Sequence, residues 1–167
     1  MILRCGIATI DSVDDFVEKL NEIGDAHGCT VQAFDARYVA GREHLRAAVD
    51  RADRAIDRGE AIARDRGVEV LLYAAGRRQI NRALEMGVDA GTQPVVVLIA
   101  AMDEAGDESA AAAAVETLLA DERSIAACRD ETRIREFFDI TDDEREATTA
   151  TLEELVIERV ALLTVER

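Results

Sequence analysis

Apolar positions change their spacing several times along the chain, and each change marks an element. "MILRCGIATI" is rich in β-branched residues and predicts a first strand. In "SVDDFVEKLNEIG" the apolar residues Phe16, Val17 and Leu20 fall at helical spacing, with Ser12 as N-cap and Gly24 closing the helix. "CTVQAFDARYV" predicts a second strand running into a turn at Asp35–Arg37. From Arg42 to Ala63 the spacing is helical again, with Leu45, Ala48, Val49, Ala52, Ala55, Ile56, Ile62 and Ala63 on one face.

"DRGVEVLLYAAG" supports two periods. Val68, Leu71, Leu72 and Ala75 fit a helix, while Val68, Val70 and Leu72 also alternate. Its Ala, Leu and Glu content favours a helix ending at Gly76. A short helix from Arg77 to Met86, closed by Gly87, follows. The run "PVVVLIAA" predicts a strand buried on both faces. Beyond it come a polar loop near 101–110, an alanine-rich helix and a short helix in "DETRIREFFDI" with Ile134, Phe137 and Phe138 inward. Thr141 and Glu144 form a T-x-x-E capping box that is expected to open the final helix, with a break near Thr148–Thr151. That helix carries Leu152, Leu155, Val156, Ile157, Val160, Leu162 and Leu163 around most of its circumference. More apolar surface than one core stripe needs makes it a candidate docking surface, with burial in the protein's own core the competing reading. The expected architecture is α/β: a single domain over 1–167, a sheet of about three strands packed with several helices, and a helical C-terminus.

Composition adds habitat and exclusions. The 167 residues hold 35 acids against 20 basic residues, and 19 of those 20 are arginine. An acidic, lysine-poor, alanine-rich chain suits a cytoplasm of molar salt, where screening shortens self-repulsion to a few ångströms, and so points to a halophilic archaeon. No run of about 18 apolar residues predicts a membrane span, and "MILRCGIATIDS" does not read as a signal peptide. A cytoplasmic location is expected. Cys5, Cys29 and Cys128 are odd in number and widely spaced, without a C-x-x-C, so buried free thiols are expected rather than a disulfide or zinc site.

Charge is distributed unevenly. Residues 1–36 carry a net −5 and residues 83–167 a net −14, but residues 37–82 hold eleven arginines and seven acids, a net +4. Asp50 with Arg54 and Glu60 with Arg64 stand at i,i+4, the usual decoration of a solvated helix, and Arg46, Arg51, Arg54 and Arg58 read as such a face. In "LLYAAGRRQINRAL" the arginines Arg77, Arg78 and Arg82 have only Glu85 nearby, so they are expected to present unneutralised guanidinium groups.

Catalytic chemistry does not assemble. His27 and His44 are too far apart for a local metal motif. A Cys29–His27 pair has no third group to orient the imidazole. No P-loop, G-x-G-x-x-G or G-x-S-x-G occurs. "DITDDERE" lacks EF-hand spacing and reads as acids at a helix N-terminus. Binding is therefore the expected activity, with no catalytic residues, metal or cofactor.

The order of three blocks, "DARYVAGREHLRAAVDRADRAI", "VEVLLYAAGRRQINRALEMGV" and "PVVVLIA", resembles the small regulatory, kinase-binding subunit of the KEOPS complex, the PRPK-binding protein family. Gly41 and His44 opening the long helix, Glu69, Arg78–Ile80, Gly87, "IREFFDITDDE" and "LEELVIERVALL" extend the resemblance over nearly the whole chain. The resemblance implies a non-catalytic subunit in the synthesis of threonylcarbamoyl-adenosine in tRNA. It would bind the atypical kinase/ATPase subunit and help recruit tRNA through its single-stranded 3′ CCA end. No membrane or DNA partner is expected. Single-stranded ends are held by phosphate contacts and by stacking on aromatic rings or guanidinium planes. The RNA-contacting residues are then expected to be Arg77, Arg78, Gln79 and Arg82, with Tyr73 as the nearest aromatic. Ile157, Val160 and Leu163 are the expected anchors for the kinase. A small-molecule-binding regulatory domain with a pocket near Gly76 is the alternative.

Overall fold

Strand β1 (Ile2–Ile10), helix α1 (Val13–His27) and strand β2 (Cys29–Asp35) form in that order because β-branched runs flank a well-capped amphipathic helix. The Ser12 hydroxyl accepts the Asp15 N–H at 3.3 Å, satisfying one of the helix's orphan donors. We describe residues 1–165 from a computed structural model of the chain. The chain divides into two compact units, one of Met1–Ala36 with Gly87–Cys128, the other of Arg37–Met86 with the chain from Arg129 onward.

In the first unit, β3 (Gly91–Ala101) lies between β1 and β2 and runs antiparallel to both. Its centre pairs Cys5 with Val96 on one side and Phe34 with Val96 on the other. This is the three-stranded sheet that the apolar patterning anticipated, with the strand order added. One face of β3 (Val95, Val97, Ile99) packs with Phe16 and Leu20 of α1 and with Ala111, Ala112 and Val115 of α5 (Glu108–Glu116). Val96 and Leu98 on the opposite face are fully buried as well, as the unbroken apolar run implied.

Helix α1 does not close at Gly24. It continues one turn and ends on Gly28, whose φ of +65° is the left-handed value that glycine adopts without penalty. Gly24 is instead a contact residue: a Cβ there would stand 2.5 Å from the Cys29 carbonyl oxygen. Helix α6 (Ile125–Cys128) brings the Cys128 thiol 3.8 Å from that of Cys5. All three thiols are free, Cys5 and Cys29 buried and Cys128 half-buried. Burial, helped by Cys128, pushes the Cys5 thiol up to about 12.

The second unit is helical. Its frame is α2 (Arg42–Asp57), α3 (Arg66–Ala75) and the final helix α9 (Leu152–Val165). Helix α2 is shorter than its periodicity suggests, because Gly59 turns the chain at φ +69° and Ile62 is 37% exposed. The following loop is held from below: the buried Glu69 carboxylate accepts the N–H groups of Ile62 (3.1 Å) and Ala63 (2.7 Å). The ambiguous segment is the helix α3, apolar on nearly every side and buried accordingly. The expected Arg77–Met86 helix is only α4 (Ile80–Ala83) plus a 3₁₀ turn over Leu84–Met86.

Helix α7 (Glu131–Phe137) buries Ile134 and Phe137, with Phe138 buried just past its end. Thr141 caps a separate helix, α8 (Asp142–Glu146), and not the final one. The final helix has its own capping box. Thr151 Oγ1 accepts the Glu154 N–H at 3.2 Å, and the Glu154 carboxylate accepts the Thr151 N–H at 2.7 Å. The bond from the Thr151 N–H holds the Glu154 carboxyl below its usual range.

His44 joins the three frame helices. Its imidazole is fully buried, its Nδ1 accepts the Ala40 N–H (3.1 Å), and its Nε2 is 2.8 Å from the Ala74 carbonyl. An acceptor at Nδ1 fixes the neutral tautomer with the proton on Nε2. Glu153 of α9 supplies the cap that Gly41 lacks, accepting the His44 N–H at 3.0 Å. Gly41 leaves the room, since a Cβ there would lie 2.3 Å from the Glu153 carboxylate.

Burial holds the His44 imidazole down to about 4 from an ordinary 6.5, against a smaller opposing effect of the Ala74 bond. Between those values the unfolded chain takes up a proton that the folded chain refuses. This contribution to stability is therefore complete above pH 6.5, falls as the pH drops toward 4, and amounts to about 3 kcal/mol. An NMR titration of the His44 ring should leave it neutral at pH 5.5, and a midpoint near 6.5 would contradict the buried tautomer.

Candidate functional site

The arginine-bearing segment begins where α3 stops. Gly76, at φ +60°, closes the helix, and the Arg77 N–H returns to the Leu72 carbonyl at 3.1 Å. The chain then turns Arg77 inward and leaves the next residues in solvent. The Arg77 guanidinium donates to the Phe137 carbonyl, lies 5.0 Å from the Phe137 ring centroid and stands 3.9 Å from the Asp139 carboxylate. It therefore tethers the C-terminal end of α7, where unpaired carbonyls favour a cation. Arg159 of α9 does the same from another side, donating to the carbonyls of Phe138 (3.1 Å) and Asp139 (3.3 Å) and, bidentately, to Glu144. The Arg159 pair draws the Glu144 carboxyl below its usual range.

Arg78, Gln79 and Arg82 are exposed. Arg78 has no ion pair with a described residue, and Arg82 has only Glu85 at 3.6 Å. Ile80 and Leu84 lie among them, 49% and 54% exposed. The expectation of an unneutralised cluster is thus met by Arg78, largely by Arg82, and not by Arg77.

Tyr73 does not fit the sequence-based assignment. It is 2% exposed, so its ring offers no face for a base. The aromatic beside the arginines is Tyr38, half-buried at the end of the 3₁₀ turn Ala36–Tyr38. A groove of about 470 Å³ is lined by Tyr38, Phe137, the three arginines Arg77, Arg82 and Arg133, and the three acids Glu85, Glu136 and Asp139. The Arg133 guanidinium lies 5.9 Å from the Tyr38 ring, and Tyr38 meets Phe137 edge-to-face at 5.4 Å. The row continues through Phe138 to His44, at 5.0 and 5.7 Å. No local pattern links Tyr38 or Arg133 to Arg82; only the position of the aromatic Tyr38 after a strand could have drawn attention to it.

On α2 the expected Asp50–Arg54 pair is not formed among the described residues. Asp53 is bound bidentately by Arg66 at 2.7 and 2.9 Å, and Arg46 stands 3.8 Å from Glu43. Arg51, Arg54 and Arg58 have no ion pair with a described residue.

The final helix settles which of its apolar residues are available. Val160 and Leu163 are 0% and 2% exposed, packed in the unit's own core, and cannot serve as anchors. Ile157 is half-buried, and it continues into Ala161 and Val165 at i+4 and i+8, with Leu162 at the side. Leu162 and Val165 are 46% and 76% exposed. The apolar residues of this helix that reach solvent are therefore Leu162 and Val165, with Ile157 and Ala161 half-buried beside them, one face away from the expected Val160 and Leu163. Among the described residues no helix is long and apolar enough to cross a membrane.

The family model of the kinase binding protein CGI-121 matches residues 11–164 of the chain. No curated protein matches it.

Arg77 and Arg78 are neighbours with opposite roles, and stability measurements separate them. Arg77→Ala should destabilise by about 2 kcal/mol through loss of the charged hydrogen bond and the ring contact. Arg78→Ala should stay within about 0.5 kcal/mol. Urea denaturation of both variants gives the comparison.

Proposed function

The chain belongs to the CGI-121 kinase binding protein family, and on that premise we propose that it is a non-catalytic subunit of a KEOPS-type tRNA-modifying assembly. It binds the small atypical kinase/ATPase and helps present the 3′ CCA end of tRNA for threonylcarbamoyl-adenosine synthesis. The observation that carries the RNA half is the exposed Arg78 and Arg82 beside a groove containing Tyr38 and Arg133. Their charge survives in a chain of net −15. An unpaired nucleotide end needs phosphate partners and flat surfaces for its bases. Arg78 and Arg82 supply the first, Gln79 can read a base edge, and Tyr38 with the Arg133 plane supplies the second. In the molar salt implied by the acidic surface, counterion release contributes little. Planar, bidentate and stacking contacts of arginine then carry more of the affinity than net charge does.

For the kinase, the surface is the stripe Ile157–Ala161–Val165 with Leu162. A helix laid into a partner's groove uses residues at such i, i+4, i+8 positions. Glu154 and Glu158 flank the stripe and would set its register against a basic rim.

Arg78→Glu with Arg82→Glu should lower affinity for a CCA-ended tRNA at least tenfold at matched salt, read by filter binding; unchanged affinity removes these residues from the RNA site. Ala161→Arg should fold with a native melting curve yet no longer co-purify with the kinase subunit. Full retention of the kinase by that variant places the contact elsewhere.

A further inference from the structure

The outer edge of β1 is covered by a strap of chain between α5 and α6. In the sheet order β1-β3-β2, one edge of β1 is used on β3, and the other would present unpaired N–H and C=O groups to solvent. Ile7 and Ala120 exchange both backbone bonds across that outer edge, at 2.7 and 2.8 Å, and the Arg123 N–H donates to the Cys5 carbonyl at 2.9 Å. Gly6 lets the strap come close, since a Cβ there would stand 2.8 Å from the Ala120 carbonyl oxygen. The strap is lightly held. No side chain from Glu116 to Cys128 is buried, although Leu118 and Leu119 pack in part against the core. At its end α6 turns Cys128 back onto β1, 3.8 Å sulfur to sulfur from Cys5.

We propose that Cys5 and Cys128 form a reversible disulfide that locks this strap onto the edge of β1. The oxidant is a low-molecular-weight disulfide. Cys128 is the half-buried member of the pair, so solvent reaches it first. Its thiolate attacks one sulfur of the small disulfide and breaks that S–S bond. A mixed disulfide forms, and the released thiolate takes up the proton that Cys128 lost. The Cys5 sulfur then attacks the Cys128 sulfur and displaces the second small thiol, to which the Cys5 proton goes. Two cysteines are oxidised and one small disulfide is reduced to two thiols. The two sulfurs are already in contact, so a bond of about 2 Å asks for a movement of about 2 Å, which a lightly held strap can make. Burial keeps Cys5 protonated at neutral pH, which makes closure the slower step. Cys29 cannot compete. It lies on β2 opposite Ala101, while Cys5 lies opposite Val96 on the other side of β3, so the width of that strand separates them. In a reducing compartment the pair rests as thiols and closes when the poise turns oxidising. The device shares no residue with the Arg78/Arg82 surface or with the final helix, and stands or falls separately from both readings.

The test incubates the folded, full-length chain with oxidised glutathione at pH 8, quenches in acid, alkylates and maps the peptides. The expected product is a Cys5–Cys128 link with Cys29 still a thiol, reversed by dithiothreitol. Hydrogen exchange at the Ile7 and Ala120 amides should slow at least tenfold in the linked protein, because opening of the strap is suppressed. Cys128→Ser should show neither the link nor the slowing. A glutathione adduct on Cys128 that never closes would overturn the proposal, as would a link formed only after unfolding in urea. Unchanged exchange at Ile7 and Ala120 in the linked protein would overturn it too, since the strap would then not be locked.

Discussion

The helical unit depends on one buried polar contact. His44 can be fully buried only as a neutral imidazole, and both its nitrogens find backbone partners, the Ala40 N–H and the Ala74 carbonyl. Its own N–H, at the open start of α2, is taken by Glu153. An unsatisfied polar group in such a place is strongly destabilising, so the three helices have little freedom to slide. That fixity positions both candidate surfaces. Ala74 lies two residues before Gly76, so the point at which the chain leaves α3 and exposes Arg78 is set by the same contact. Glu153 lies one turn before Ile157, so the rotation of α9, and with it which apolar residues reach solvent, is set there too.

Arginine plays three parts within this unit. Arg77 and Arg159 gather the carbonyls at the end of α7, where the helix dipole is negative and no amide is left to bond. Arg66 holds Asp53 in a two-pronged pair that ties the start of α3 to α2. Arg78, Arg82, Arg51, Arg54 and Arg58 face solvent or a cavity and do little for the fold. With 35 acids in the chain, the lack of an ion pair at Arg78 among the described residues is not explained by a shortage of partners. Exposed pairs contribute little to stability, so leaving Arg78 without one costs the fold little.

Local chemistry was enough to locate most elements. Caps, glycines and apolar spacing marked the strands, α1, α3, α7 and the buried β3, because each depends on residues a few positions apart. The errors share a cause. Gly24 read as a helix end but is a contact with Cys29, and α2 read as longer because Ile62 and Ala63 continue its spacing while Glu69 holds their backbone in a loop. Thr141 and Thr151 both begin T-x-x-E boxes, and nothing local says which one starts the longer helix.

The sequence by itself determined that a basic segment sits in an acidic chain, that catalytic motifs are lacking, and that the final helix has more apolar residues than one buried face requires. Only the tertiary structure decided which members of each set are available. Arg77 and Arg78 are adjacent in sequence, yet one closes against α7 and the other faces water. Tyr73 and Tyr38 are equally aromatic, yet only Tyr38 reaches the groove. Val160 and Leu162 are near neighbours and both apolar, yet a turn of about 100° per residue puts one in the core and the other in solvent. Residue type is a local property, while exposure follows from how distant segments pack, and binding depends on both.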